Sequence, residues 1–227
     1  VVHAFSALPP ETNGGSARLV VPTYSGVIHA LHCASTGEWS IADILIIDST
    51  IVGGGDALLF KDVVAFPMQG RTMIAASTKG GQAIISDLES PSDFTISHVQ
   101  PNGIARLSAD ENGTVYAACN DGAAIRMRFH TQRWHTDTLY RDIDQLRGVA
   151  YGRFRFANSA CPVAIFGYSG FVRLLFDGGV GWDTHTIFQD SEKAHWMFAA
   201  EMISENDSDE LLIGGYSGKL ILLFWKE

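Results

Sequence analysis

The sequence predicts an all-β fold, a five-bladed β-propeller of four-stranded antiparallel blades whose last blade reads as three-stranded. Three observations carry this. One hairpin, an apolar strand, a glycine turn and a second apolar strand, recurs along the chain. Its clearest copy is Asp209–Phe224 around Tyr216-Ser217-Gly218, and Leu19–Leu31 and Val163–Phe176 repeat it with Tyr-Ser-Gly at the turn. Val115–Phe129 turns on Asn120-Asp121-Gly122, and Met73–Ile85 turns on Thr78-Lys79-Gly80-Gly81. Glycine supplies the positive φ that such a turn needs. Second, the turn glycines Gly26, Gly80, Gly122, Gly170 and Gly218 recur every ~40–55 residues, the period of propeller blades. Third, no segment holds a capped helical period for three turns, whereas short β-branched and apolar runs are frequent.

The elements follow in order. His3 to Gly26 aligns with His195 to Gly218 without a gap, and Arg147 to Gly170 falls in the same frame. Each unit therefore opens on an inner strand, passes a polar turn (Pro10–Ser16, Phe154–Ala160, Ser204–Asp209) and enters the hairpin. An outer strand follows, opened by Trp39, Phe94, Trp134 or Trp182, alternating polar and apolar as a half-exposed strand should. The blades fall at about 1–47, 58–99, 103–140, 147–189 and 195–227, in one domain. In the second unit the link Ile51–Ala57, with Gly53-Gly54-Gly55, reads as a mobile loop. After Gly218 only nine residues remain, too few for an outer strand, and Val1-Val2 cannot supply one. The expectation is a truncated or processed chain. Lys219–Phe224 then presents an unpaired edge where a missing segment or partner strand pairs. The alternative is a tolerated three-stranded blade, blunted by Lys219, Lys226 and Glu227.

The composition, 46% hydrophobic and 18% charged, is globular. A net charge of −9 argues against nucleic acid and anionic membrane surfaces as partners. No apolar run reaches transmembrane length. Three scattered cysteines, Cys33, Cys119 and Cys161, are not a disulfide framework and favour a reducing, cytoplasmic compartment. Cys119, in the apolar run Tyr116–Cys119, reads as a buried free thiol. The opening Val1-Val2-His3-Ala4 has neither an initiator Met nor a signal-peptide pattern, so localisation is not read from it.

The segment Ser204-Glu-Asn-Asp-Ser-Asp-Glu-Leu-Leu-Ile-Gly-Gly-Tyr-Ser-Gly218 resembles the FG-GAP/VCBS-type propellers, the group that includes the integrin α head. In those, an acidic calcium loop precedes an Asp-Leu-Val-Val-Gly strand. The resemblance implies a propeller and makes Asp207 and Asp209, with Glu210, a calcium candidate. The alternative is a solvated acidic turn, since Ser208 stands where the loop's glycine belongs. The equivalent turns, Glu11-Thr-Asn-Gly-Gly, Met68-Gln-Gly-Arg, Asp110-Glu-Asn-Gly and Phe156-Ala-Asn-Ser, lack the carboxylates, so the family's metal function is not carried over and no cofactor is expected. WD-repeat propellers are a second resemblance, without their Trp-Asp ending.

His3, Arg147 and His195 share the position that opens the inner strand, with Lys61 or Asp62 and Gly103 near it in the other units. Ringing one mouth of a propeller channel, His3, Lys61, Arg147 and His195 would capture an anion or sugar acid. Otherwise they are edge residues bonded to neighbouring blades. Trp39, Trp134 and Trp182 either stack on sugars or close the gaps between blades. His29 and His32, beside Cys33, point to opposite faces of a strand and cannot converge on zinc. Nucleophile-elbow, P-loop and dinucleotide patterns are missing from the sequence. The expected function is a non-enzymatic module binding a protein or peptide on one face. A lectin with sites between blades, and a lyase- or isomerase-like enzyme with an axial site, are the alternatives. A flat apolar patch favours the partner protein, half-exposed Trp pockets favour the lectin, and a deep axial pocket favours the enzyme.

Overall fold

The computed structural model describes residues 4–8, 18–47, 59–156, 159–203 and 207–225; His3, the turn Pro10–Ser16, the Gly53-Gly54-Gly55 link and the Cys161 side chain lie outside the described set. The protein is all-β: five antiparallel sheets in chain order, the blades of a five-bladed β-propeller. Blade 1 is β1 (Ser6–Ala7), β2 (Arg18–Pro22), β3 (Val27–Cys33) and β4 (Trp39–Ile46). Blade 2 is β5 (Phe60–Met68), β6 (Arg71–Thr78), β7 (Gln82–Asp87) and β8 (Ser90–Val99). Blade 3 is β9 (Ile104–Ala109), β10 (Val115–Cys119), β11 (Ala123–His130) and β12 (Arg133–Arg141). Blade 4 is β13 (Leu146–Phe156), β14 (Ser159–Gly167), β15 (Phe171–Asp177) and β16 (Trp182–Gln189). Blade 5 has three strands, β17 (Ala194–Ala200), β18 (Glu210–Gly215) and β19 (Leu220–Leu223). No helix among the described residues is long and apolar enough to cross a membrane.

Three details differ from the sequence reading. In blade 2 the left-handed turn residue is Gly81 (φ 92°), one place after Gly80. Its outer strand opens at Ser90, so Phe94 lies inside the strand and packs on the core instead of leading it. In blade 4 most of Phe154–Ala160 is strand, with Phe156 paired to Ser159.

Why glycine is required at the turns is visible in the outer strands. As each outer strand leaves its sheet, the next N–H returns to the turn glycine of the same blade. Ile47 N donates to Gly26 O at 3.0 Å, and Gln100 N, Asp142 N and Asp190 N donate to Gly81 O, Gly122 O and Gly170 O at 2.8 Å. A Cβ added to Gly81, Gly122 or Gly170 would meet the carbonyl oxygen of Gln100, Asp142 or Asp190 at 1.8, 2.5 or 2.6 Å. The positive φ and this close approach each exclude a side chain.

The chain divides into two compact units, Val1–Val115 with Arg128–His135, and Tyr116–Met127 with Thr136–Glu227. In the first, Val20, Ile28, Leu45 and Ile47 of blade 1 pack with Phe60, Val63, Ile74 and Ile84 of blade 2. Asp62, buried on β5, accepts the Leu107 N–H of β9 at 2.7 Å. Burial pushes its carboxyl up to about 6, against the pull of Arg106 and the backbone donors. In the second unit, Tyr116, Ala118, Ala124 and Leu139 pack with Leu146, Val149, Val163, Ile165 and Leu175. Cys119 is a buried free thiol, pushed up to about 12 by burial first and then by Asp121.

Candidate functional site

The candidate site lies on blade 5 and is best seen by its relation to blade 4, which has the same repeat 48 residues earlier. In blade 4 the cross-strand rows Ala150–Ala164–Leu174 and Gly148–Phe166–Val172 face blade 5. They are buried by Met197, Leu211 and Ile213, with Ile221, Leu223 and Trp225 packed alongside. Gly148 leaves room for Met197, whose Cγ would lie 3.2 Å from a Cβ there. Arg153 adds a polar tie: its N–H and guanidinium donate to Asp209 at 2.7 and 3.0 Å, and the guanidinium reaches Glu201 at 2.8 Å.

Blade 5 carries the equivalent rows Phe198–Leu212–Leu222 and Trp196–Gly214–Leu220 on its opposite face. Here the apolar side chains are open. Leu222 is 40% and Leu220 65% exposed, where Leu174 and Val172 are 0%. Phe198 and Phe224 are each 55% exposed. Trp196 lies against Gly214, so close that a Cβ on Gly214 would meet the indole at 2.8 Å. A shallow groove of about 320 Å³ runs beside it, lined by His195, Trp196, Tyr216, Lys219 and Leu220. Among the described residues β19 pairs only with β18, so its other side is a free edge.

Of the four expected mouth residues, His3 is outside the described set. Lys61, in the first unit, donates to the Tyr24 hydroxyl at 3.1 Å and lies over its ring at 5.5 Å. Arg147 donates to Asn120 Oδ1 at 2.8 Å and lies 5.5 Å above the Tyr168 ring. His195 meets the Tyr216 ring edge-on at 5.5 Å, and Tyr168 meets Tyr216 at 6.4 Å. Arg147 and His195 are thus linked through two turn tyrosines, with Lys193 4.8 Å above Tyr168. Burial, opposed by Arg147 and assisted by the Tyr216 hydroxyl, raises the Tyr168 phenol above its ordinary value. The turn residue two places before glycine (Tyr24, Asn120, Tyr168) engages the cation that opens the following blade or its approach.

The three tryptophans have three environments. Trp39 is 54% exposed at the start of β4. Trp134 packs edge-on against Phe66 at 6.5 Å and near Phe129 at 5.5 Å. Trp182 is half-buried with the Arg126 guanidinium 5.2 Å above it. Of the calcium candidates, Asp207 is exposed, Asp209 holds Arg153, and buried Glu210 accepts the N–H groups of Met202 and Ile203 at 2.7 and 3.0 Å. Among the described residues no three His, Cys, Asp or Glu side chains gather as a metal site would require. His29 pairs across the sheet with Asp43 at 2.6 Å.

Sequence reasoning missed the second task of the turn serines. Ser169 donates to Asp142 at 3.0 Å and Ser217 to Asp190 at 3.1 Å, each carboxylate following the outer strand of the preceding blade. The signal was there, since both pairs are 27 residues apart. Asp142 also holds the half-buried Arg173 at 2.7 Å. No known family model matches the chain, and no curated protein matches it.

Proposed function

We propose that the protein is a non-enzymatic interaction module that holds a protein or peptide partner on blade 5. One observation carries the reading: Phe198, Leu220, Leu222 and Phe224 form a flat, exposed apolar face whose blade 4 counterparts are covered. Contiguous exposed apolar surface of this kind marks a contact site. The same rows in blade 4 show how such a face is used, which is by burial under a further sheet. The exposed Trp39 favours a second reading, a sugar-stacking site on blade 1. Kinship with the FG-GAP/VCBS-type propellers is also a proposal, supported by the strand and turn Asp209–Gly218 alone.

The test is cross-linking capture with the wild-type protein and with Phe198→Asp. Partners retained by the wild type and lost by a variant of unchanged thermal stability support the reading. Capture unmoved by Phe198→Asp rejects it. A glycan array on wild type and Trp39→Ala tests the second reading; binding that needs Trp39 would replace the first.

A further inference from the structure

We propose that the tip of the β11–β12 hairpin in blade 3 binds the phosphate group of a phosphomonoester, held by His130, Arg133 and His135. The site is separate from the open face of blade 5 and does not depend on that reading. Its residues fall in Arg128–His135, a stretch of the first unit with two arginines, two histidines and no Asp or Glu, in a chain of net charge −9.

The local structure gathers these side chains. β11 has eight residues and its neighbour β10 five, and the last three of β11, Arg128, Phe129 and His130, are exposed. Side chains alternate in direction along each strand. Phe129 and Trp134 take one side of the hairpin, with ring centroids 5.5 Å apart, and Trp134 sits edge-on against Phe66 of β5 at 6.5 Å. Arg128, His130, Arg133 and His135 are left on the other side. The His130 and His135 rings lie 6.1 Å apart, and Arg133 Nε donates to His135 Nε2 at 3.3 Å.

Two features mark the tip as more than a solvated turn. The first is the partner of Arg133. Arg71, Arg126, Arg141, Arg153 and Arg173 each hold a carboxylate at 2.7–3.1 Å. Among the described residues Arg133 has no carboxylate. Its bond goes through Nε to an unprotonated ring nitrogen, which leaves both Nη groups for a ligand. The second feature is the backbone. Thr131 (φ 49°) and Gln132 (φ 62°) are both left-handed, where glycine or asparagine is ordinary and a β-branched threonine is rare. The corresponding turns of blades 1 and 4 use glycine, Gly37 (φ 85°) and Gly179 (φ 84°). This strained two-residue turn fixes His130 and Arg133 as the residues that flank it.

The chemistry of the three groups selects the ligand. A guanidinium offers paired N–H donors to two oxygens of one tetrahedral oxyanion, and each imidazole adds a ring N–H. The cluster is the size of one such group, and the acidic remainder of the chain repels a polyanion such as nucleic acid. A metal ion between the two histidines is opposed by the Arg133 cation.

The probe is phenyl phosphate, titrated into the whole protein at fixed ionic strength while the imidazole NMR resonances are followed. Saturable shifts at His130 and His135 are expected, with His29 and His98 unmoved. Arg133→Gln should weaken binding about tenfold or more through loss of charge-assisted bonds. Arg71→Gln, which removes the same charge from another exposed arginine, should leave binding unchanged. Melting temperatures check that both variants are folded, and His130→Gln repeats the test should Arg133→Gln not fold. Absence of saturable shifts overturns the inference, as does their reproduction by chloride. Equal weakening by Arg71→Gln also overturns it, by assigning the effect to overall charge. Zn²⁺ that saturates both histidines where phenyl phosphate does not assigns the pair to a metal and rejects the phosphate site. An alanine-flanked phosphoserine peptide distinguishes the source of the group. Tighter binding than phenyl phosphate places it on a polypeptide and equal or weaker binding on a small molecule, and both outcomes uphold the site.

Discussion

Blades 4 and 5 carry one repeat, yet Ala150, Ala164 and Leu174 are buried where Phe198 and Leu222 stand open. The difference in residue size is instructive. Blade 4 uses alanines and Gly148 where another sheet must approach, as close packing of two sheets demands. Blade 5 places Phe198 and Trp196 at those positions, side chains that project from a face instead of making room for one. Its strands are as apolar as those of blade 4, so the contrast lies in what covers them and not in β-forming tendency.

Four expectations can break or sharpen this contrast. The largest concerns the anchors that Asp142 and Asp190 provide. Arg173 is bound to Asp142 with side chains only 14% and 1% exposed, so Asp142→Ala leaves a half-buried cation without its carboxylate and should cost about 3 kcal/mol in urea unfolding. Asp190→Ala loses the Ser217 hydroxyl bond and two longer bonds, from the Ser191 hydroxyl and the Glu192 N–H, but strands no cation, and should cost about 1–2 kcal/mol. Equal costs would show that the two blades are anchored alike. Next, Leu174→Ala should cost about 2–5 kcal/mol, as a buried leucine does. Leu222→Ala should cost less than about 1 kcal/mol, because its side chain already meets water. A large Leu222→Ala loss would mean that the face is covered in solution.

A third expectation carries the comparison to the first unit, where β5 and β9 are joined by a carboxyl without a bonded cation. Folded Asp62 keeps its proton to about pH 6, and the unfolded chain releases it near 3.8. Between these values the folded state binds more protons, so stability falls as pH rises and stays lowered above about 6. Asp62→Asn should match the wild type near pH 4 and exceed it at pH 7 by roughly 2 kcal/mol. A pH-independent difference in melting would remove Asp62 from this role. The smallest effect is Gly218→Ala, about 1 kcal/mol from the positive φ alone. Gly170→Ala should cost clearly more, since its Cβ would also strike the Asp190 carbonyl.

The fold was legible because its turns are written in residues with few alternatives. Glycine after Tyr-Ser or Asn-Asp announces positive φ, and the spacing of those glycines announces the blades. Where two glycines adjoin, as at Gly80-Gly81, spacing does not choose between them, and the carbonyl of Gln100 does. Phe94 misled because the β7–β8 connection is a tight hairpin that moves the strand start to Ser90. The candidate site was legible only in part. The repeat placed Phe198 and Leu222 on one sheet, but whether their face is open depends on what packs on it, which no local pattern states. The three tryptophans looked equivalent by position and are not, because Phe66 and Arg126 come from strands distant in sequence.

The bond from each departing outer strand to its own turn glycine also bears on how the chain acquires its structure in time. In blades 1 to 4 that bond closes a loop of about twenty residues. Closure over so short a stretch is fast and entropically cheap, and it keeps the sequence separation of contacts low for a β protein. Each of these blades can latch as soon as its own outer strand leaves the ribosome, before the next blade exists. Blade 5 has no such latch among its described residues, so its hairpin should open more readily than those of blades 1 to 4. Amide exchange along Leu220–Leu223 should therefore report local opening, while Phe171–Asp177 reports the stability of the whole unit.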